Sequence, residues 1–274
     1  MLQQKRLALI NDFTGFGRCS IAVELPLVSA LKVQACLVPT AILSVHTGFS
    51  KHYLDDYTKH MPAYIKSWQQ NNLTFDGIVT GFLGSAAQIE IVIDFISHFR
   101  QPNTLIIVDP VMGDNGKLYS SYTPQMCREM RRLLQYADII TPNLTEACTL
   151  LDIPYPQNDY ATEDTLAEMA YALTRKGPAQ VVITGLNAGD YIRNYVYENR
   201  QGITIDVERI GEDRSGSGDA FTAIVAASLI KNEPLIKAVE KATDFISRCV
   251  AYATKLNLPW NYGLPFEEYL TDLR

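Results

Sequence analysis

The sequence predicts an α/β fold with a mostly parallel central sheet flanked by helices on both faces. Short, continuously apolar segments alternate along the chain with longer segments whose apolar residues recur at helical spacing. Continuously apolar strands are typical of sheets that helices cover on both faces. No linker, repeat or low-complexity stretch interrupts the 274 residues. We therefore expect a single domain over residues 1–274.

The predicted strands are brief, and most end in polar residues or in glycine and proline. Six are expected to form the parallel part of the sheet: residues 6–10, 35–38, 78–80, 105–109, 139–141 and 181–184. Residues 191–197 and 203–207 flank a turn and are expected to be antiparallel. Because open α/β sheets bind ligands beyond the carboxyl ends of their strands, we expect the chemistry there.

Several helix boundaries are also visible. Ser85 and Gln88 have the spacing of a capping box before an apolar face, and Thr123 opens a second helix. A third helix is expected over residues 163–176, with acidic residues in its first turn. A long amphipathic helix is expected over residues 235–253.

Composition excludes several classes of protein. The chain has 24 basic and 30 acidic side chains, and its formal charge of −6 argues against nucleic-acid binding, which needs clustered Lys and Arg. There is no secretory signal and no apolar stretch of about 18 residues that could span a membrane. The five cysteines form no C-x-x-C pair, so neither disulfides nor zinc are indicated. We expect a cytoplasmic protein that binds neither nucleic acid nor membrane.

The most informative motif is Gly216-Ser217-Gly218-Asp219, which precedes an apolar helix. Two glycines around a serine allow a tight turn at a helix N-terminus, where free N–H groups and the helix dipole favour an anion such as phosphate. Asp219 can accept the proton of a hydroxyl that attacks this phosphate, as a kinase requires. The alternative is a glycine turn whose aspartate only caps the helix.

Two further motifs follow neighbouring strands. Asp109 ends one strand, and Asn143-x-x-Glu146 follows the next. Their carboxylates are expected to converge on one crevice, where they would offer oxygen ligands to Mg²⁺ carried by a nucleotide. The alternative is that Asp109 and Glu146 cap the helices that follow.

The loop after the first strand does not bind a dinucleotide in the usual way. Ser20 stands where the third glycine of a fingerprint starting at Gly15 and Gly17 belongs, and there is no P-loop motif. We therefore expect this loop to contact a small substrate. His46 and Thr47 end a second strand-like segment and offer an imidazole and a hydroxyl, although a lone histidine on a loop is more often a surface residue.

The chain resembles the ribokinase superfamily, and specifically its pyridoxal kinase and hydroxymethylpyrimidine kinase branch, in three motifs taken together: Gly216-Ser217-Gly218-Asp219, Asn143-x-x-Glu146 and Asp109-Pro110-Val111-Met112-Gly113-Asp114. Three features look more like bacterial pyridoxal/pyridoxamine kinases: His46-Thr47-Gly48, Thr80-Gly81-Phe82, and Asp114 followed by Gly116 and Tyr119. The resemblance implies a ribokinase-like fold without a large lid. It also implies transfer of the ATP γ-phosphoryl group to the 5′-hydroxyl of pyridoxal, pyridoxamine or pyridoxine.

The resemblance further implies a role for each matching residue. Asp219 would be the catalytic base beside the substrate, and the amides of Gly216, Ser217 and Gly218 would form an anion hole. Asp109, Thr141 and Glu146 would belong to the Mg²⁺ region. The nucleotide would be contacted by Asp114, Asn143, Thr184, Gly185 and Ser217. The pyridine ring would be surrounded by Asp12, His46, Thr47 and Phe82, with Tyr119 on the phosphate-side loop. ATP, Mg²⁺, a monovalent cation such as K⁺ and a homodimer are implied as well.

Some residues depart from the pyridoxal kinase pattern and leave an alternative substrate open. Many pyridoxal kinases have serine and histidine where this chain has Asp12 and Phe13, and Asn11-Asp12 is closer to hydroxymethylpyrimidine kinases of thiamine synthesis. Those enzymes commonly have cysteine in place of Asp219 and asparagine in place of His46, which favours the vitamin B6 activity. A sugar or nucleoside kinase would normally have an extended β-lid, and the short interval between the first two strands leaves little room for one. A catalytically silent binding protein would not need Asp219, Asp109 and Glu146, so the presence of these residues argues against it.

Overall fold

The computed structural model describes residues 4–273 of the chain. The strands have the following bounds: β1 (Arg6–Thr14), β2 (Gln34–Leu43), β3 (Leu54–Asp56), β4 (Gly77–Thr80), β5 (Leu105–Val108), β6 (Gly113–Asp114), β7 (Lys117–Leu118), β8 (Ile139–Ile140), β9 (Gln180–Ala188), β10 (Tyr191–Glu198) and β11 (Gln201–Glu208). Nine of them form one sheet in the order β11-β10-β9-β8-β5-β4-β1-β2-β3, and β6 pairs with β7 in a separate hairpin.

The centre of the large sheet is parallel and its two edges are antiparallel. β2, β1, β4, β5, β8 and β9 pair with their neighbours in parallel. β10 and β11 extend one edge as antiparallel strands, and the short β3 closes the other edge against β2. The predicted mostly parallel sheet with an antiparallel segment near residues 191–207 is therefore confirmed.

Helices cover both faces of the sheet, as predicted. Their bounds are α1 (Ile21–Ala30), α2 (Met61–Gln70), α3 (Ala86–Phe99), α4 (Pro124–Met130), α5 (Leu144–Leu151), α6 (Glu163–Thr174), α7 (Ser217–Leu229) and α8 (Leu235–Lys255). Short 3-10 helices span Arg131–Tyr136, Trp260–Tyr262 and Phe266–Leu273. One apolar cluster packs α2 to α6 against one face, and the other packs α1, α7 and α8 against the opposite face.

The strand β1 shows why two layers of helices are needed. Ala8 and Ile10 belong to the first apolar cluster, whereas Leu7 and Leu9 belong to the second. Successive side chains of a strand point to opposite faces, so a continuously apolar strand must be covered twice. The residues described form one domain, while residues 1–3 and 274 of the predicted range lie outside them.

The structure extends the first two strands beyond the predicted ends. β1 continues from residue 10 to Thr14, and β2 continues from residue 38 to Leu43. We predicted an end after residue 10 because Asn11 and Asp12 are polar. Both are nevertheless buried, because their side chains are hydrogen-bonded to groups of other loops at the end of the sheet.

Two helix predictions require correction. The third predicted helix ends at Thr174 rather than at residue 176. Ser85 accepts a hydrogen bond from the Gln88 N–H at 3.3 Å, but the capping box is incomplete. The Gln88 side chain instead accepts from the Gly84 N–H at 2.7 Å and donates to the carbonyl of Thr40, so it ties α3 to β2.

The parallel strands all end at the same edge of the sheet, where the N-termini of α5 and α7 also lie. This arrangement gathers loops that are far apart in sequence into one cleft. Within residues 4–273, no helix is both long and apolar enough to cross a bilayer.

Candidate active site

A cleft of about 1080 Å³ lies at the carboxyl edge of the sheet. Every residue that the sequence predicted for the site lines it. They are Asp12, His46, Thr47, Phe82, Asp109, Asp114, Tyr119, Thr141, Asn143, Glu146, Thr184, Gly185, Gly216, Ser217, Gly218 and Asp219. The C-terminal parts of the six parallel strands, the loops that follow them and the start of α7 therefore meet at one place, as the parallel topology requires. Their individual roles remain predictions.

The start of α7 has the geometry of an anion-binding site. Gly216 has a left-handed backbone (φ 79°), and a Cβ there would lie 2.0 Å from the carbonyl oxygen of Arg18, so only glycine fits. The Ser217 hydroxyl and N–H both donate to the carbonyl of Arg214, at 2.8 Å and 3.4 Å. A Cβ at Gly218 would meet no atom within 4 Å, which leaves open space above this turn. Free N–H groups at a helix N-terminus that faces open space suit a phosphate.

Asp219 is held by two donors, one on β1 and one in the loop that follows it. Its Oδ1 accepts from the Asn11 side chain at 3.1 Å, and its Oδ2 accepts from the Ser20 N–H at 2.8 Å. Burial raises the pKa of Asp219 above its usual value, while these two hydrogen bonds oppose the rise. The carboxylate therefore has a defined orientation at the edge of the turn formed by residues 216–218.

Asp109 is embedded in a chain of hydroxyl groups. The Thr222 hydroxyl donates to Asp109 Oδ2 at 3.0 Å. The Thr141 and Thr222 oxygens lie 3.1 Å apart, and since the single Thr222 proton is already used, Thr141 is the donor of this pair. Asp109 therefore does not cap a helix, and the cap alternative is wrong for this residue. Thr222, on α7, was not predicted as a site residue.

Glu146 closes a capping box at the start of α5. Its Oε2 accepts from the Asn143 N–H at 2.8 Å, and the Asn143 Oδ1 accepts from the Glu146 N–H at 2.9 Å. Glu146 Oε1 also accepts from the Met112 N–H, and Asn143 donates to the carbonyl of Gly113 at 2.8 Å. The cap alternative therefore describes the hydrogen bonds of Glu146, and the same carboxyl also lines the cleft.

Asp109 and Glu146 are suited to a cation that arrives with another ligand. Burial, followed by repulsion from Asp219, raises the pKa of Asp109, and burial followed by repulsion from Asp109 raises that of Glu146. A bound cation close to these carboxyls would oppose both increases in pKa. No group of three His, Cys, Asp or Glu side chains in residues 4–273 could hold a metal ion alone. Mg²⁺ often takes one or two carboxylates and completes its shell with phosphate and water, so this donor set fits it.

The end of the cleft near Gly185 can accommodate a flat apolar group. Gly185, on β9, has a φ of 65°, and its N–H donates to the Asn194 side chain at 3.1 Å. A Cβ at Gly185 would meet nothing within 4 Å, so the space above it is open. Apolar side chains of β10, β11, α8 and one loop form the walls there: Ile192, Val207, Ile210, Ile246 and Val250.

The opposite end contains a buried carboxyl. Asp12 is 5% exposed, and its two oxygens accept from the hydroxyls of Ser20 at 2.6 Å and Thr14 at 2.7 Å. Burial raises the pKa of Asp12 to about 6, although these hydrogen bonds oppose the rise. Phe82 lines the same end, and its ring packs edge-on against Tyr122. This end combines a polar group with an aromatic wall, as a small heteroaromatic molecule requires.

His46 contributes to the cleft differently from the prediction. Its Nε2 lies 2.8 Å from the carbonyl of Asn261, and its Nδ1 accepts from the Gly48 N–H at 3.1 Å. A carbonyl can only accept and an N–H can only donate, so these partners define a neutral imidazole protonated on Nε2. Both nitrogens are occupied by the protein. A contact from His46 to a ligand stays a prediction, and it would involve the ring carbons or the ring face.

A C-terminal segment, residues 258–263, also forms part of the site and was missed from the sequence. Besides the contact of Asn261 with His46, its Trp260 carbonyl accepts from the Ser215 N–H at 3.3 Å, and its Tyr262 carbonyl accepts from Arg18 at 3.1 Å. The Trp260 side chain lines the cleft. These backbone contacts leave no local sequence pattern, so only the structure could reveal them.

The sequence matches the phosphomethylpyrimidine kinase family over residues 20–262. A hydroxymethylpyrimidine/phosphomethylpyrimidine kinase from Haemophilus influenzae is 30% identical over 200 residues, which are 71% of either chain. A protein from Bacteroides thetaiotaomicron VPI-5482, provisionally described as a phosphomethylpyrimidine kinase, is 38% identical. Its two crystal forms have TM-scores of 0.96 and 0.92, cover 99% of this chain and are themselves covered to 94% and 96%, and the second contains pyridoxal.

A pyridoxal kinase from Lactobacillus plantarum is 26% identical, with a TM-score of 0.91 and coverage of 99% of this chain and 97% of that one. The fold and the cleft are those of a ribokinase-like kinase. The chain belongs to the phosphomethylpyrimidine kinase family, a branch of the ribokinase superfamily that it shares with pyridoxal kinases. The resemblance to this branch of the superfamily, inferred from the motifs, is therefore confirmed. The relatives include one named as a hydroxymethylpyrimidine/phosphomethylpyrimidine kinase and one named as a pyridoxal kinase.

The buried carboxyl of Asp12 should affect the pH dependence of stability. With a pKa near 6 in the folded protein and 3.8 as the reference, Asp12 holds its proton more tightly when folded, so the wild-type protein loses stability as pH rises through this window. Asp12→Asn removes this loss. From pH 4.5 to 7.5, we expect the variant to gain about 2 kcal/mol in unfolding free energy relative to wild type.

Urea denaturation at the two pH values measures this difference. Asp55→Asn, which changes an exposed carboxyl, is the control and should follow the wild-type pH dependence. Parallel stability curves for Asp12→Asn and wild type would contradict the assignment of a raised pKa.

Proposed function

We propose that this protein is a pyridoxal kinase, which transfers the γ-phosphoryl group of ATP to the 5′-hydroxyl of pyridoxal, pyridoxamine or pyridoxine. The observation that carries the proposal is the pyridoxal in the Bacteroides thetaiotaomicron structure, whose chain is 38% identical and superposes over 99% of this one. Relatives this similar along their whole length commonly share a substrate class, although one or two contacts determine the preferred molecule.

The substrate end of the cleft supports this proposal. Asp12, Ser20 and Thr14 form a buried polar group that can exchange hydrogen bonds with ring substituents or a ring nitrogen. Phe82 and Trp260 provide aromatic surface beside it. Asp219 lies between this group and the phosphate-binding turn, since Ser20 donates its hydroxyl to Asp12 and its N–H to Asp219. A ring bound at Asp12 would thus direct its hydroxymethyl group toward Asp219.

The proposed roles in the reaction follow from these positions. Asp219 accepts the proton of the substrate hydroxyl as the oxygen bonds to phosphorus. The amides of residues 216–218 bind the negative oxygens of the transferred group, and their fixed orientation avoids reorganisation during the reaction. Asp109 and Glu146, with Thr141, would hold Mg²⁺, which supplies charge neutralisation on the nucleotide phosphates when bound. Asp114, Asn143, Thr184 and Gly185 would contact the nucleotide, and a monovalent cation would lie near the anion hole.

Phosphorylation of hydroxymethylpyrimidine, or of its phosphate, is the second candidate. The match to the phosphomethylpyrimidine kinase family and the 30% identical relative from Haemophilus influenzae favour it. A pyrimidine also carries ring nitrogens and a hydroxymethyl group, so Asp12 could serve either ring. Asp219 and His46 distinguish this chain from the residues that pyrimidine kinases commonly have, and we therefore place the vitamin B6 activity first.

We also propose a cytoplasmic homodimer. Phe13, Ile42, Tyr53 and Leu54 are exposed apolar residues around the ends of β1, β2 and β3. Phe13 and Ile42 are paired in the strand register, and Leu54 also lines the cleft. An apolar patch beside the cleft is a suitable contact surface for a second copy.

The acceptor preference can be measured directly. ADP release from Mg-ATP is followed with pyridoxal, pyridoxamine, pyridoxine, hydroxymethylpyrimidine and hydroxymethylpyrimidine phosphate. We expect the highest kcat/KM with a vitamin B6 compound. A higher kcat/KM with a pyrimidine would contradict the vitamin B6 activity and support the second candidate function. No turnover with any of the five compounds would contradict both functions.

The role of Asp219 is tested by Asp219→Asn. The variant retains two polar atoms but cannot accept the proton, so kcat should fall by roughly 10²–10⁴-fold. ATP affinity, measured by calorimetry, should change less than about threefold, because the anion-binding amides remain. Retained turnover would contradict the assignment of Asp219 as the base.

A further inference from the structure

Asn11 is a buried residue that the predicted roles do not use. It is 1% exposed, and its Oδ1 accepts from the backbone N–H groups of Asp12 and Phe82, both at 2.9 Å. Its Nδ2 donates to Asp219 Oδ1 and to Glu24 Oε1, both at 3.1 Å. Two N–H donors on one side and two carboxyl acceptors on the other allow only one orientation of this amide. Asn11 therefore joins the proposed base to the substrate end of the cleft.

The corner formed by Thr80, Gly81 and Phe82 is built around this amide. A Cβ on Gly81 would lie 2.4 Å from Asn11 Nδ2, so glycine is required where the corner passes the Asn11 side chain. The Phe82 carbonyl is held from the other side by the Thr40 hydroxyl at 2.9 Å. The hydrogen bond from the Phe82 N–H and the close approach of Gly81 thus couple the position of this corner to that of the Asn11 side chain.

Glu24, on α1, lies behind Asn11. It is 1% exposed, and its Oε2 has no hydrogen-bond partner in the part of the chain that the structure describes. Burial raises the pKa of Glu24 well above its usual value, with further increases from Asp219, Asp109 and Asp12, and only the hydrogen bond from Asn11 opposes them. Glu24 Oε1 is thus the second acceptor of the Asn11 amide, and its burial favours the neutral form of this carboxyl.

We propose that Asn11 is a positioning residue for phosphoryl transfer, which sets the orientation of Asp219 relative to the Phe82 corner, and that Glu24 holds the Asn11 amide in the required orientation. This inference rests on the proposed function, because it assumes that Asp219 is the base. Neither residue touches the reacting atoms. Their effect is on geometry, and a displacement of about 1 Å can reduce a rate by about 10²-fold.

The first test separates catalysis from binding. Asn11→Asp keeps an acceptor for the two backbone N–H groups and loses the donor to Asp219. We expect kcat with pyridoxal and Mg-ATP to fall about 100-fold, while the KM for pyridoxal and the ATP affinity change less than about threefold. A kcat equal to that of wild type would overturn the proposal. A fall in kcat accompanied by a similar increase in the KM for pyridoxal and a similar weakening of ATP binding would also overturn it, because it would indicate a general structural role.

The role of Glu24 is tested with a conservative and a non-conservative variant. Glu24→Gln retains an acceptor oxygen for Asn11 and lacks a charge, whereas Glu24→Leu removes the acceptor. We expect Glu24→Gln to have at least ten times the kcat of Glu24→Leu. Equal kcat values in these two variants would contradict a role for Glu24 in orienting Asn11.

A reciprocal exchange tests the geometry without requiring turnover. In the double variant Asn11→Asp/Asp219→Asn, the amide introduced at position 219 can donate to the carboxylate at position 11 while still accepting from the Ser20 N–H. The hydrogen bond is thereby restored with donor and acceptor exchanged. We expect the double variant to have a Tm at least about 4 °C above that of Asn11→Asp alone. Its kcat should be no lower than that of Asp219→Asn, because the two residues act as a unit.

The outcomes distinguish the two levels of the argument. A double variant no more stable than Asn11→Asp would overturn the positioning contact, whatever the substrate. Recovered stability together with retained turnover in Asp219→Asn would leave the contact intact and contradict the base assignment, and with it the positioning role that depends on that assignment.

Discussion

Several carboxyl groups are buried at one edge of this sheet without a Lys or Arg partner. Asp12, Glu24, Asp109, Glu146 and Asp219 take part in none of the ion pairs found in residues 4–273. Neutral donors hold them instead: hydroxyls, backbone N–H groups and the Asn11 amide. Burying charge in this way costs free energy, and the raised pKa values are a measure of that cost. Favourable interactions elsewhere in the fold have to compensate for this unfavourable free energy.

This arrangement has a direct chemical consequence. A carboxylate paired with a permanent cation would be a weaker base and a poorer ligand for a metal ion, because its lone pairs would already be engaged. Hydroxyl and amide donors orient the carboxylates while leaving their charge available. The same cleft presents helix N–H groups at the start of α7, and Arg209 and Arg214 are among the residues that line it. Anionic and cationic ligands can therefore enter together, as a nucleotide and its metal ion do.

How much of this structure the sequence could predict depended on how far apart the interacting residues are along the chain. The glycine turn and Asp219 were identifiable because four adjacent residues carry the information, and the strands were identifiable because their apolar runs are local. The buried polar end of β1 was not, because Asn11 and Asp12 are stabilised by partners up to 208 positions away. Thr222 and the segment containing Trp260 were missed for the same reason. Gln88 shows the opposite error, since a local pattern indicated a cap that tertiary contacts with β2 redirect.

The two ends of the cleft differ in what their geometry determines. At the phosphate end, backbone amides and hard oxygen ligands are needed for any ribokinase-like transfer, so these positions define the reaction class. At the proposed substrate end, one carboxyl and two hydroxyls would meet a flat ring, and both a pyridine and a pyrimidine could satisfy them. Discrimination must then come from groups that a wrong ring leaves unpaired, because a buried polar atom without a partner costs more than a lost apolar contact. Asp12 is sensitive to such a mismatch, since it is buried and its pKa is raised to about 6. A ring that donates a hydrogen bond to the Asp12 carboxylate would reduce the free-energy cost of its burial. A ring that presents only acceptors to the carboxylate would increase that cost.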